Sequence, residues 1–255
     1  MANTLHPARL RVEVWLPAAL LCAAAIGWWW SAVMARDMGA PMTADGMSMG
    51  SSSTSLLAFL GAWVAMMAAM MLPAILPVVR LYGRAAARGT VAPTLVFVAG
   101  YLLVWSLIGV PAFLAWRALR EPLAQSLPWA GRVAGVVSIV AAVYQVTPLK
   151  TLCLRHCRSP MSFFLHHGKN LNRPSGAVLA GTRHGLYCLG CCWLLMAILI
   201  AFGTMQLGVM VALAVLILLE KDAPFGEQLA RAAAVAFLIA GAALLLHPAL
   251  ISHVI

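Results

Sequence analysis

Acidic side chains are what this sequence most lacks. Seven Asp and Glu stand among 255 residues, against 17 Lys and Arg, and charged residues together make up 9% of the chain. A soluble domain carries about 25% charged residues, so there is too little charge here to clothe a water-facing surface. P-loop, nucleophile-elbow and His-Glu-x-x-His patterns are also missing, and no catalytic motif argues for an enzyme. No basic helix with interleaved aromatics is found. The net charge of +10 therefore reads as basic loops facing anionic headgroups rather than as a nucleic-acid footprint. No internal repeat divides residues 1–255, which read as a single domain.

Apolar residues are abundant: 63% of the chain, with a mean hydropathy of +0.93. They fall in seven stretches: Trp15 to Met34, Ser55 to Val79, Val91 to Trp116, Pro128 to Val146, His184 to Phe202, Gln206 to Leu219 and Gln228 to His247. Most approach the ~20 residues that span a bilayer core. The sixth is short and calls for extension or a thinned bilayer. The expected fold is all-α, a polytopic transmembrane bundle of about seven spans. With the N-terminus in the cytoplasm, only Arg36, Arg117, Arg120 and Arg132 of the 17 Lys and Arg fall outside, so positive-inside bias sets that orientation in a bacterial inner membrane. Arg9 and Arg11 before the first stretch, and Val33-Met34-Ala35 after it, have the form of a signal peptide. The length of the stretch and the Trp28-Trp29-Trp30 anchor favour a retained helix.

Two loops are expected between these spans. Residues 35–54 form an outer loop, made flexible by Gly, Pro and Ser and rich in Met. Residues 147–183 form a long, basic cytoplasmic segment that reads as structured.

Five of the six cysteines lie in two local groups. Cys153, His156 and Cys157 follow the fourth stretch and fall within about 100° of one helical face. His184, Cys188 and Cys191 open the fifth stretch at i, i+4 and i+7, with Cys192 beside them. A helix hairpin that joins the groups would supply an S4 or S3N set suited to Cu(I) or Zn(II). Cys22, alone in the first stretch, reads as a small apolar packing residue. Gly176, Gly181, Gly185 and Gly190 suggest close helix approach that would bring the groups together.

Methionine adds a second soft-ligand pattern. Met38, Met42, Met47 and Met49 lie in or beside the outer loop. Met66 with Met70, and Met67 with Met71, form i, i+4 pairs in the second stretch. Thioethers favour Cu(I) over hard cations, although Met also packs irregular helix contacts. Pro73 and Pro77 lie nearby and would disturb that helix. Glu220, at the end of the sixth stretch, reads first as a solvated charge at the inner boundary, with pairing to Arg183 or Arg231, or support of the metal site, as the alternatives.

The segments Met70-Met71-Leu72-Pro73, Thr147-Pro148-Leu149-Lys150 with Cys153, Cys157-Arg158-Ser159-Pro160, and His184 to Trp193 followed by Glu220-Lys221 resemble a bacterial family. Its members are predicted metal-binding integral membrane proteins, some of them called copper chaperones. The resemblance covers roughly Leu56 to Lys221 and implies a membrane protein that handles metal.

Three readings follow from the sequence. In the first, outer Met residues capture Cu(I), the second helix relays it, and the Cys/His group holds it for a donor or acceptor protein. In the second, Cys188 and Cys191 form the reactive pair of a membrane thiol-disulfide oxidoreductase, although they face the reducing side. In the third, the cysteines hold a structural zinc in a non-catalytic assembly subunit.

Overall fold

The computed structural model describes residues 7–39, 56–86, 92–125, 127–158, 173–203 and 206–253. All regular structure among them is helical: α1 (Pro7–Gly39), α2 (Leu56–Ala86), α3 (Ala92–Ala124), α4 (Pro128–Gln145), α5 (Pro148–Arg158), α6 (Pro174–Ala201), α7 (Leu207–Asp222) and α8 (Gly226–Leu246), then a 3₁₀ segment over Pro248–His253. Within α2, α3, α6 and α8, the stretches Leu56–Gly83, Ala92–Leu123, Pro174–Ala201 and Gly226–Leu246 are long and apolar enough to cross a membrane. The pair α4–α5, bent by 67° at its break, makes a fifth if counted as one span.

The count of seven read from hydropathy is thus met in part. Among the residues whose side chains are described, α1 contributes an apolar helix over Pro17–Val33, and α7 has 16 residues, so neither is counted among those spans. The outer-loop residues Met42, Met47 and Met49 lie outside the described residues, whereas Met38 falls within α1.

The interior is built by helix pairs that approach closely, as lipid-embedded helices must when no hydrophobic force distinguishes partner from solvent. α3 packs along α6, α4 along α8, α1 along α2, and α5 against α6. The α3–α6 crossing depends on glycine. A Cβ at Gly185 would meet Val104 Cγ2 at 3.0 Å and the Tyr101 carbonyl at 3.2 Å, and one at Gly181 would run into the Phe97 backbone. α2 and α6 are the most deeply buried spans, and on α2 Trp63, Met67, Met70, Met71 and Ile75 are all nearly inaccessible.

The bend between α4 and α5 follows from local chemistry. Pro148 takes the first position of α5, where a missing N–H costs nothing. The Thr147 hydroxyl donates to the Tyr144 carbonyl at 2.7 Å and accepts from the Lys150 N–H at 3.3 Å. That is an N-cap arrangement, which closes one helix and opens the next. The new helix axis turns Cys153, Leu154 and Cys157 inward. Leu149 and Leu152 stay on the outside.

Candidate metal centre

α6 begins at Pro174, ten residues before the His184 boundary expected from hydropathy, because Ala177, Ala180 and Gly181 are small enough to continue its packed face against α3. Cys188, Cys191 and Cys192 consequently lie near the middle of a helix and not at its opening. At i, i+3 and i+4 they share one face. Their three Sγ atoms all lie within 4.8 Å of one another, and all three residues are buried.

Four further residues converge on this face. Cys157, from α5, is buried next to Cys191 and interacts with its thiol, but it is not one of the three residues whose sulfurs lie within 4.8 Å of one another. The Tyr101 hydroxyl of α3 is 3.0 Å from Cys188 Sγ. Lys221, at the end of α7, donates from Nζ to Cys188 Sγ at 2.9 Å, with Met71 Sδ of α2 at 4.0 Å. The Cys191 and Cys192 thiols both donate to the Cys188 carbonyl, at 3.0 and 2.9 Å. Neighbouring helices thus bring five sulfurs, one phenol and one ammonium to a single buried point.

Cys153 stands at the margin. Its sulfur packs against Gly190, on the side of α6 next to Cys191. It also lines an apolar cavity of about 570 Å³ together with Trp63, Trp105, Tyr144, Trp193 and Met196. The cavity mouth includes the exposed side chains of Leu149, Leu186 and Trp193.

The structure separates the expected site residues. Cys157, Cys188, Cys191 and Cys192 are brought together, and Cys153 is adjacent. His184 is buried one turn before Cys188, its ring 6.1 Å from both Phe97 and Tyr101, and it is not among the three residues whose ligand atoms cluster. His156 departs from the expected common face. Its ring stacks on Tyr187 at 4.5 Å and its Nδ1 lies 2.8 Å from the Leu152 carbonyl. Met66, Met67, Met70 and Met71 are all buried, and Met71 is the one recorded next to the Lys221–Cys188 pair.

Glu220 does not pair with Arg183 or Arg231. Its carboxylate takes Lys150 Nζ at 2.7 Å and Gln145 Nε2 at 2.8 Å, while Lys150 also reaches Gln145 Oε1. Both ends of the ion pair are almost fully buried. The Thr147 cap explains this partner choice, since it points the third residue of α5 at the end of α7. Arg158 adds a lock, donating to the Glu220 and Ala223 carbonyls. Reasoning from sequence missed Tyr101 altogether and saw Lys221 only as a boundary charge. A lysine closing an apolar helix was the available signal for the latter; nothing in the sequence marked Tyr101.

The donor set suits a soft ion. Three sulfurs held about 2.3 Å from a common metal in a plane would lie about 4.0 Å apart. The present spread therefore needs a contraction of less than about 1 Å, within the reach of cysteine rotamers. Thiolate and thioether donors select Cu(I), with Zn(II) served by thiolates alone.

A helical bundle with apolar spans and a buried thiol cluster between them fits a class of helical, membrane-inserting proteins that bind metal. Residues 60–244 match the model of the PpoB2 family, described as a copper chaperone, and the chain belongs to that family. Comparison with curated proteins and with solved structures gives no match.

Proposed function

We propose that this protein holds Cu(I) as cargo within the bacterial inner membrane, at a site made by Cys157, Cys188, Cys191 and Cys192 with Met71 at its edge. The observation that carries the reading is the 4.8 Å grouping of three buried Sγ atoms on α6, met by a fourth thiol from α5. Family membership supports copper as the ion. Cysteines used only for packing need not turn their sulfurs toward one another from two helices.

The distribution of Lys and Arg favours an N-terminus in the cytoplasm and seven crossings, with α7 as a short one. On that topology the site lies toward the cytoplasmic side, level with α5 and with the end of α7, where Lys221 reaches it. Cys153, between the apolar cavity and Cys191, then acts as the first or last thiol on the ion's path. The Met residues of 35–54 remain candidates for capture on the outer side.

Metal analysis of the full chain in nanodiscs, loaded with Cu(I) under reducing conditions, tests the proposal. The expected result is bound copper with sulfur-only coordination by X-ray absorption, lost in a C157S/C188S/C191S/C192S variant that keeps its helicity. Copper retained by that variant, or wild type that takes up no copper, would overturn it.

A further inference from the structure

One buried charge stands next to the thiols. Lys221 is 5% exposed, yet of the two carboxylates beside it in sequence Glu220 is committed to Lys150 and Asp222 is solvent-exposed and acts on it only as a screened neighbouring charge. Glu220 and Lys221 leave the last turn of α7 in different directions, Glu220 to Lys150 and Gln145, Lys221 to Cys188 Sγ at 2.9 Å and Met71 Sδ at 4.0 Å. A buried ammonium is tolerated when an anion faces it. The group facing this one is sulfur.

We propose that Lys221 is the built-in counter-cation of the thiol site and neutralises it when it holds a monovalent soft ion between two thiolates. The inference rests on the reading of the cluster as a Cu(I) site. One singly charged ion with two thiolates carries a net negative charge. The ammonium in contact with Cys188 cancels it, so the loaded site is neutral where dielectric is low and imbalance is costly. Met71, a neutral donor at the other side of the ammonium, can join the ion without altering that charge. Tyr101, whose hydroxyl also lies 3.0 Å from Cys188 Sγ, steadies the same sulfur. Lys221 thus acts as a charge-balancing residue that binds no metal itself.

Competition of the full chain in nanodiscs against a bidentate Cu(I) chelator tests this, with wild type, K221M and K221R compared. K221M keeps the length and apolar stem without the charge. It is expected to weaken Cu(I) binding by about tenfold or more, with K221R retaining more affinity than K221M. K221M binding Cu(I) as tightly as wild type, or K221R as weak as K221M, overturns the proposal while leaving the copper reading intact; wild type that binds no Cu(I) removes that reading instead, and this inference with it. If K221M alone fails to fold, a C188S/K221M variant decides. An ammonium present to balance Cys188 becomes dispensable once that sulfur is gone, so the double variant folds. A double variant that also fails to fold assigns Lys221 to packing and overturns the proposal.

Discussion

The sulfur of Cys153 lies 2.6 Å from the point that a Cβ on residue 190 would occupy, so the close approach of α5 to α6 at this point uses the glycine at Gly190. The Tyr144 hydroxyl donates to the Gly190 carbonyl and ties the end of α4 to the same spot. A Gly190→Ala change adds a methyl group to a contact that has no room. We expect a loss of about 1–3 kcal/mol from overpacking, seen as a lower thermal midpoint in detergent. Faster alkylation of Cys153 should accompany it. An unchanged midpoint with unchanged alkylation would show that the approach is not tight.

The Lys150–Glu220 pair joins α5 to α7 with both side chains nearly inaccessible. Lys150→Met strands a buried carboxylate and is expected to cost about 3–5 kcal/mol, whereas replacing both partners, as in K150M/E220Q, should recover much of that. Unfolding of the two variants in detergent measures the difference. Equal destabilisation by the single and double changes would mean that the ion pair is not what holds α5 in place.

Met71 and Met66 are both buried on α2, but they lie about 140° apart around the helix. Met71 is the one beside the Lys221–Cys188 pair. Met71→Leu is therefore expected to weaken Cu(I) binding by about tenfold, in the range seen when groups around a metal are removed, while Met66→Leu leaves it unchanged. Chelator competition reads both, and equal effects would count against a role for the Met71 thioether.

His156 and Cys157 are neighbours in α5 with opposite roles. The imidazole stacks on Tyr187, and the thiol meets Cys191. His156→Ala should leave copper content as in wild type, whereas Cys157→Ser should lower affinity and remove one sulfur from the coordination shell. Copper loss in H156A comparable to that in C157S would require the α5 face to rotate in the loaded state.

Much of this architecture is legible in the residues. Four of the seven apolar stretches coincide with the helices that are long enough to span. The Thr147-Pro148 pair announces a helix stop and start, which the structure realises as the 67° bend. The local thiol groups were visible from i, i+3 and i+4 spacing alone, since helical periodicity places such residues on one face whatever the surroundings. Boundaries were less legible. The basic and polar residues of 173–183 depress hydropathy, yet α6 extends through them because Gly181 and Gly185 let its backbone lie on α3.

Composition and periodicity, which depend only on neighbours in the chain, determined that this is a helical membrane protein carrying two thiol groups and a methionine-rich helix. Which thiols meet, and what charge faces them, is a matter of contacts between residues far apart in sequence. Spacing could not say that Cys157 and not His156 turns inward, or that Glu220 takes Lys150 and so leaves Lys221 to Cys188. Those choices arise from the angle at which α5 leaves α4 and the closeness with which α3 and α6 cross, and both are settled only when the helices pack.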